Sequence, residues 1–148
     1  MHLRAFRSED LETLYQIDQA CFAPGISYAR EELRGFIGQR GSRTWVAEEN
    51  GEVAGFLIAQ RQAQRAAHIV TIDVVDRWRR RRVGTLLMDA AEGWAAEQKL
   101  PLVYLEAAEN NAPAQGFYAA RGYKKVDRIE NYYADGASAS VMLKWLRL

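Results

Sequence analysis

Two strongly apolar segments separated by one long helical pattern constrain the fold of this chain more than any other feature. The first segment, His68 to Val75, is rich in β-branched residues and apolar nearly throughout, as in a strand buried on both faces of a sheet. A helical pattern follows from Val83 to Gln98, and a second buried-type strand is predicted from Leu102 to Ala107. Two strands joined through a single helix run parallel in one sheet. The sequence therefore predicts a parallel strand pair in the middle of a sheet.

The flanking segments predict antiparallel strands and short helices. Asn50 and Gly51 separate two strand-like segments and are the residues typical of a two-residue β-hairpin turn. Ser8 and Ser27 are predicted to cap two helices, and Asn111 a third. The other predicted elements are strands at Leu3–Phe6, Thr44–Glu48, Val53–Gln60, Tyr123–Ile129 and Ser138–Leu146, and helices at Tyr28–Ile37 and Ala112–Ala120. This order predicts an α/β fold with a mixed, mostly antiparallel sheet.

Length and composition predict one domain, residues 1–148. A chain of 148 residues with 49% hydrophobic content forms one sizeable core. The formal net charge of +1 gives no general attraction for nucleic acids or anionic membranes, and no apolar run approaches the roughly 20 residues of a membrane span. No signal-peptide pattern is found at the N-terminus, and Cys21 has no partner for an internal disulfide. We therefore expect a cytoplasmic protein without a nucleic-acid or membrane partner.

An arginine-rich loop lies between the first apolar strand and its helix. Arg79 to Arg82 are four consecutive arginines, and Gly84 follows at the start of the helix. A helix start leaves backbone N–H groups unpaired and carries a partial positive charge, which favours phosphate binding. Gly84 has no Cβ, so the backbone there is expected to approach a phosphate closely. A solvated loop and a nucleic-acid patch are the alternatives, and the scattered aromatic residues disfavour the second.

The segment from Thr71 to Met88 resembles the coenzyme A signature of the GCN5-related N-acetyltransferase (GNAT) superfamily. The signature has the form Gln/Arg-x-x-Gly-x-Gly/Ala, and Arg79 and Gly84 fall on its first and last positions. Arg82 departs from the pattern, because the family has glycine there. The resemblance implies a GNAT fold with a central parallel strand pair and helices on both faces, and acetyl-coenzyme A as co-substrate without a metal. The coenzyme-binding residues that it implies are Ile72, Val74, Arg79, Arg80, Arg81, Arg82, Val83, Gly84, Thr85 and Asn111.

A second segment, Val103 to Tyr123, resembles the later motif of the same superfamily. Asn111, the helix residue Tyr118 and the following Gly122 have the spacing of that motif. The resemblance implies transfer of an acetyl group from acetyl-coenzyme A to a primary amine.

Three local patterns are similar to one group within the superfamily, the N-terminal protein acetyltransferases, which includes the ribosomal-protein-S18-alanine N-acetyltransferases. The patterns are Leu105–Glu106 before the asparagine and tyrosine, the run Asn131 to Tyr133, and the strand His68 to Ile72. The acceptor implied by this likeness is the α-amino group at a protein or peptide N-terminus.

The resemblance also implies a role for each site residue. Glu106 is the implied base, and Tyr118 the implied acid, because a phenol with a pKa of about 10 keeps its proton at neutral pH. The Val74 N–H is the implied donor to the developing oxyanion, where the strand is expected to bulge and part from its neighbour. Asn111 is implied to contact the pantetheine arm. The residues implied to border the acceptor groove are Tyr28, Tyr132 and Tyr133.

Other interpretations remain open at this point. Glu106 also suits a structural ion pair, and Tyr118 a core position. We interpret His68 as a sheet residue and Cys21 as a buried helix residue rather than as catalysts. A small-molecule acetyltransferase acting on a polyamine, amino acid or antibiotic is an alternative function, and a non-catalytic coenzyme A-binding regulatory module is another. The edges of the final hairpin are compatible with a monomer or a weak homodimer.

Overall fold

The structure is a computed structural model that describes residues 1–147 and is built around one sheet. Within these residues, seven strands lie in the order β1-β2-β3-β4-β5-β7-β6. The strands are β1 (His2–Ala5), β2 (Ser42–Glu49), β3 (Glu52–Gln62), β4 (Ala66–Val74), β5 (Leu102–Ala108), β6 (Lys124–Ile129) and β7 (Ala139–Trp145). The α-helices are α1 (Leu11–Cys21), α2 (Arg30–Gly38), α3 (Val83–Glu97) and α4 (Ala112–Ala120), with 3₁₀ turns at Ser8–Asp10 and Asp76–Trp78.

The parallel pair predicted from the sequence is formed by β4 and β5, which α3 connects. The other neighbouring strands are antiparallel. The parallel pairing is short, because it begins with Ala66 opposite Leu102 and ends with His68 opposite Tyr104. Beyond this point the two strands part and leave a cleft between them. The predicted mixed sheet with a central parallel pair is confirmed.

Helices cover both faces of the sheet. Side chains along each strand alternate between the two faces, so neighbouring apolar residues of one strand are buried by different helices. Phe56 and Leu57 are neighbours on β3, and both are fully buried. Phe56 packs with Leu14 of α1 and Leu33 of α2. Leu57 belongs to the larger core on the opposite face, which includes Leu87 of α3. This packing fixes the ends of the strands and the loops that surround the cleft.

One predicted turn and one predicted cap are confirmed. Asn50 and Gly51 have φ of 50° and 78°, the left-handed conformations that a two-residue hairpin turn needs. Glu49 pairs with Glu52 across this turn. Asn111 caps α4, because its Oδ1 accepts the backbone N–H three residues further on at 3.2 Å.

The two predicted serine caps are wrong. Ser8 begins a 3₁₀ turn ahead of α1 and caps no helix with its side chain. Ser27 lies outside α2, which begins three residues further on. The reason lies in α1, where the Asp18 carboxylate accepts the backbone N–H of Tyr28 at 2.7 Å. This bond ties Tyr28 to α1 and keeps it out of the first turn of α2.

Candidate active site

The cleft between β4 and β5 exposes backbone amides of β4. The N–H of Val75 donates to the Ala54 carbonyl of β3 at 2.9 Å. Because amide directions alternate along a strand, the N–H groups of Val74 and Ile72 point away from β3 and into the cleft. The N–H and C=O of one strand residue point to the same edge of the strand. The Val74 carbonyl also points away from β3, because it accepts a hydrogen bond from the Cys21 thiol of α1. The cleft therefore presents donors that suit an extended ligand or an oxyanion.

The bulge in β4 lies at Val70, and its expected position at Val74 is wrong. The residues on either side of Val70 pair with adjacent residues of β3, Ile58 and Ala59, so Val70 is the extra residue. A bulge increases the local twist of its strand. It therefore lies at the start of the parted segment, whereas Val74 lies well inside that segment.

A cavity of about 750 Å³ lies between the end of β4, the arginine loop and the N-terminal ends of α3 and α4. It is lined by nine of the ten residues that the sequence implied for coenzyme binding, all except Arg81. The Arg81 guanidinium lies 5.4 Å from the ring centroid of Trp78, whose side chain contributes to the same cavity. The volume is within the range of about 300–1,000 Å³ typical of small-molecule sites.

Two arginines of the loop adopt a left-handed backbone conformation. Arg80 and Arg82 each have φ of 63°. Glycine adopts this conformation freely, whereas other residues adopt it at a cost of roughly 1–2 kcal/mol. Arg82 is the N-cap residue of α3, and its carbonyl accepts the Leu86 N–H at 3.0 Å. Backbone geometry thus explains the glycine of the signature, and this chain reaches the same geometry with an arginine.

The packing of α3 against α4 gives Gly84 a second reason to be small, beside the predicted close approach to a phosphate. A Cβ on Gly84 would lie 3.3 Å from Cζ of Phe117 on α4, so the missing side chain allows α3 and α4 to pack closely. Phe117 precedes Tyr118, and their rings pack edge to face with centroids 5.3 Å apart. Gly84 therefore helps to position the predicted catalytic tyrosine.

A second cavity, of about 360 Å³, adjoins the first and is called the acceptor cavity below. The α1–α2 loop, β4, β5 and the β6–β7 loop contribute to its walls. It is lined by all the residues implied for catalysis and acceptor binding, namely Glu106, Tyr118, Tyr28, Tyr132 and Tyr133. Tyr118 and Asn111 line both cavities, so the two spaces meet at these side chains.

Glu106 is held by two neighbouring side chains. Its Oε1 lies 2.7 Å from Nε2 of His68 and accepts a hydrogen bond from the Tyr132 hydroxyl at 3.3 Å. The imidazole of His68 also stacks on the ring of Tyr104, with centroids 4.6 Å apart. The side chains of Glu106 and His68 are only 14% and 18% exposed. The carboxylate is therefore fixed in the wall of the acceptor cavity.

The contact between His68 and Glu106 is a feature that sequence reasoning missed. His68 pairs with Tyr104, and Glu106 lies two residues further along β5 on the same face. The contact is diagonal and follows from the register of the parallel pair, which the sequence alone does not supply. The available signal was a polar residue at the start of an apolar strand, and it was interpreted as a simple sheet position.

Tyr118 provides a protonated hydroxyl where the cavities meet. It is only 8% exposed, and this burial raises the pKa of the phenol above its usual value. The ring also packs against Tyr123, with centroids 5.9 Å apart. The hydroxyl therefore keeps its proton at neutral pH and has a fixed position.

Two loops meet over the acceptor cavity. The N–H of Ala134 in the β6–β7 loop donates to the Gly25 carbonyl in the α1–α2 loop at 3.0 Å. The rings of Tyr132 and Tyr133 pack edge to face, with centroids 4.9 Å apart, and burial raises the pKa of Tyr132 to about 12. The Tyr28 hydroxyl donates to a backbone carbonyl at the bulge of β4 at 3.4 Å. These bonds hold the aromatic walls of the cavity in place.

Two buried carboxyl groups lie against each other beneath the cleft. Asp73 of β4 is 1% exposed and Asp18 of α1 is 0% exposed. The Thr71 hydroxyl donates to Oδ1 of Asp73 at 2.5 Å. Oδ2 of Asp73 and Oδ1 of Asp18 have no hydrogen-bond donor among residues 1–147. Burial, followed by the contact with Asp18, raises the pKa of Asp73 well above its usual value, so Asp73 carries a proton that the pair shares.

Cys21 lies at the end of α1 and lines both cavities. Its thiol donates to the Val74 carbonyl at 3.4 Å. Burial raises the pKa of this thiol to about 11, so the sulfur remains protonated at neutral pH. Within residues 1–147, no group of three or more His, Cys, Asp or Glu side chains is placed to hold a metal ion. None of the helices in this part of the chain is long and apolar enough to cross a membrane.

The parted parallel strands and the two adjoining cavities are the arrangement that the resemblance implied for an acetyl-transferring enzyme. A family model described as the acetyltransferase (GNAT) family matches residues 11–123. The chain therefore belongs to the GNAT acetyltransferase family, as its signature implied.

Relatives and solved structures agree with this assignment. An N-alpha-acetyltransferase of Sulfurisphaera tokodaii is 33% identical over 114 residues, which are 66% of this chain and 66% of that relative. The crystal structure of Ard1 from Thermoplasma volcanium has a TM-score of 0.90 at 27% identity, over 99% of this chain and 98% of that chain. The ribosomal-protein-S18-alanine N-acetyltransferase from Escherichia coli has a TM-score of 0.87 at 21% identity, over 99% and 94% of the two chains. Arabidopsis thaliana NAA60 in complex with acetyl-CoA has a TM-score of 0.83 at 20% identity, over 98% of each chain.

Proposed function

We propose that this enzyme acetylates the α-amino group at the N-terminus of proteins or peptides, with acetyl-coenzyme A as the donor. The observation that carries the proposal is that Glu106 and Tyr118 line the same cavity, which adjoins the coenzyme-side cavity. Glu106 suits the removal of a proton and Tyr118 the donation of one. The similarity to proteins named N-alpha-acetyltransferase supports the N-terminal acceptor.

Glu106 is the proposed base. An α-ammonium group, with a pKa of about 8, has to lose a proton before its nitrogen can attack a carbonyl. A carboxylate takes such a proton directly or through one water. Oε1 of Glu106 contacts His68 and Tyr132, whereas Oε2 has no hydrogen bond to residues 1–147 and is the atom proposed to receive the proton. His68 is a positioning residue in this scheme, because it fixes the carboxylate without lining the cavity.

Val74 and Tyr118 are proposed to stabilise the charges that develop during transfer. The bond from nitrogen to the acetyl carbon forms while the bond from that carbon to sulfur breaks. The Val74 N–H faces the cleft and is proposed to donate to the carbonyl oxygen as it gains negative charge. The Tyr118 hydroxyl is proposed to give its proton to the departing sulfur. The attacking nitrogen gives up a second proton as the amide forms. One of its two departing protons leaves through Glu106 to solvent, and the other replaces the proton that Tyr118 gave to sulfur.

The coenzyme-side cavity suits a ligand with a long neutral arm and a negative end. The start of α3 offers unpaired amides, and the loop before it carries four arginines. We propose that the amides from Arg80 to Thr85 hold a pyrophosphate, that Ile72 and Val74 pair with the pantetheine arm, and that Asn111 contacts this arm through its side-chain N–H₂. A solved structure of the same fold, that of NAA60, contains acetyl-CoA and supports this proposal.

The walls of the acceptor cavity favour a peptide over a polycationic small molecule. A polyamine or aminoglycoside carries several positive charges and needs several free carboxylates. The carboxylates that line this cavity within residues 1–147 belong to Glu106 and Asp135. Glu106 is held by His68, and Asp135 accepts the Ala137 N–H at 2.9 Å. The remaining polar wall is mainly tyrosine, which suits a peptide backbone.

The proposal is tested by measuring thiol release from acetyl-coenzyme A with three sets of acceptors. The first set contains peptides that differ in their N-terminal residue, the second the same peptides with a blocked N-terminus and a free lysine, and the third polyamines, amino acids and aminoglycosides. Turnover with the first set alone is expected. Turnover with the third set alone would contradict the proposal in favour of a small-molecule acetyltransferase. Coenzyme binding by calorimetry without turnover on any set would indicate a regulatory module.

A further inference from the structure

Six cationic side chains gather at the end of the sheet remote from the coenzyme loop, and this surface is called the basic end. Strand β4 begins at this end and runs away from it towards the arginine loop. The N–H of Arg61 donates to the Gly41 carbonyl at 3.0 Å, and its guanidinium donates to Gln98 at 3.0 Å. The Leu146 N–H donates to Pro101 at 2.8 Å, which places the last strand at the same end. The six residues are Arg40, Arg43, Arg61, Arg65, Lys99 and Arg147.

The cations of the basic end have no carboxylate partner among residues 1–147. Elsewhere, nine arginines and lysines of the same described part of the chain form ion pairs, namely Arg4, Arg30, Arg34, Arg77, Arg79, Arg121, Lys125, Arg128 and Lys144. Glu97 is the one acidic residue in the segments that build the basic end, 39–43, 59–66, 97–102 and 145–147. Like charges that are not neutralised repel one another, so such a surface is stabilised by an anionic partner.

The whole-chain charge conceals this surface. The sequence-based expectation of no nucleic-acid partner rested on the formal net charge of +1 and on the scattered aromatic residues. The structure distributes that charge unevenly, because most acidic residues are used in ion pairs away from the basic end.

The side chains of the basic end match the chemistry of an RNA strand. Five of the six cations are arginines, whose planar guanidinium groups bind phosphates with two hydrogen bonds. They come from neighbouring strands and loops, so they are spread across the surface and can contact several phosphates of one strand. Trp145 is 66% exposed at the same end and offers an aromatic face on which a base can stack. The side-chain oxygens of Gln39, Gln64 and Gln98 each accept one hydrogen bond within the protein, from Gln60 or Arg61. The second lone pair of each oxygen can accept from a 2′-hydroxyl, which DNA lacks.

A membrane surface fits these observations less well. Much of the affinity for a lipid interface comes from an apolar face that enters the acyl region, in addition to attraction between cations and anionic lipids. Trp145 is the exposed large apolar side chain at the basic end among residues 1–147. We propose that the basic end binds single-stranded RNA through its phosphates, with Trp145 stacking on a base. This proposal is independent of the acceptor that the enzyme acetylates.

The test measures fluorescence anisotropy of a labelled single-stranded RNA, about 20 nucleotides long, at salt concentrations from about 50 to about 200 mM. Saturating coenzyme A is present, so that the arginine loop is occupied. The test variant carries Arg40→Glu, Arg43→Glu and Arg65→Glu. The control variant carries Arg7→Glu, Arg34→Glu and Lys124→Glu, three exposed cations elsewhere, and has the same net charge.

The wild type and the control variant are expected to bind the RNA, and the test variant to lose most of its affinity. Three phosphate contacts at about 0.7 each would lower the slope of log Kd against log salt by about 2, which is a roughly 20-fold difference over the fourfold salt range. Thiol-release rates of both variants should equal that of the wild type, which shows intact folds.

Three results would overturn the proposal. Equal loss of RNA binding in both triple variants would show that only the net charge matters. Equally tight binding of DNA of the same sequence would remove the assignment to RNA. Binding of vesicles containing anionic lipid, without binding of RNA, would identify a membrane surface.

Discussion

Asp73→Asn is expected to stabilise the fold near neutral pH. Asp73 is 1% exposed and faces the fully buried Asp18. Asparagine has nearly the same shape and keeps an oxygen that accepts from the Thr71 hydroxyl. Its N–H₂ can donate to Oδ1 of Asp18, which lacks a donor among residues 1–147. The substitution therefore replaces a shared proton with a permanent hydrogen bond.

The size of the effect follows from proton linkage. The pKa of Asp73 is raised by burial and by Asp18, so the folded protein keeps a proton that the unfolded chain releases above a pKa of about 3.9. The contribution of Asp73 to stability is therefore complete below that pH and is lost as pH rises towards the folded-state pKa. In this window the free energy of unfolding falls by about 1.4 kcal/mol per pH unit for one proton. Asparagine has no proton to lose, so the variant lacks this slope.

Urea unfolding at about pH 5, about pH 5.5 and about pH 6 measures the difference directly. The free energy of unfolding of Asp73→Asn, minus that of the wild type, should increase with pH over this range, by up to about 1.4 kcal/mol per pH unit. Asp76→Asn is the matched control, because the Asp76 side chain is 92% exposed and the same substitution is made there away from the buried pair. A constant difference for Asp73→Asn would refute the assignment of the shared proton to Asp73.

The remaining predictions concern catalysis and the arginine loop. Glu106→Gln should lower kcat by about 10²–10⁴ with little change in coenzyme binding, because it removes the base alone; an unchanged rate would exclude Glu106 from that role. Tyr118→Phe should slow thiol release by about 10² while the near-UV circular dichroism stays that of the wild type; full activity would show that another group protonates the sulfur. Arg82→Gly should be about 1 kcal/mol more stable than Arg82→Ala in urea unfolding, because glycine adopts a φ of 63° without the steric cost that a Cβ brings; equal stabilities would mean that the backbone there is not strained.

Features that depend on neighbouring residues were predicted from the sequence. The turn at Asn50 and Gly51 depends on two left-handed residues, and the cap at Asn111 on one side-chain oxygen near the amides that follow it. The crossover between β4 and β5 follows from two buried strands and one intervening helix. Arg79 and Gly84 carry the spacing of the coenzyme A signature and lie within the residues that the GNAT family model matches. Each of these signals lies within a short stretch of chain.

Features that depend on distant residues were missed. His68 and Glu106 are 38 residues apart, and their contact requires the register of the parallel pair. Asp18 and Asp73 meet only when α1 packs on the face of β4. Asp18 also explains why Ser27 caps no helix, because its carboxylate accepts the backbone N–H of Tyr28. No local pattern encodes either contact, because register and helix packing are set by the whole core.

The bulge at Val70 connects the proposed base with the proposed amide donors. His68, on one side of the bulge, is the last residue of β4 that pairs with β5, and it holds Glu106. On the other side, Ile72 and Val74 direct their N–H groups into the cleft. Backbone N–H groups point alternately to the two edges of a strand, with a period of two residues. One extra residue therefore reverses which N–H groups beyond the bulge point into the cleft. Without that residue, a strand whose His68 contacts Glu106 would point the N–H groups of Ile72 and Val74 towards β3, and those of the residues between and beside them into the cleft. The bulge therefore sets both the position of the base and the identity of the donors.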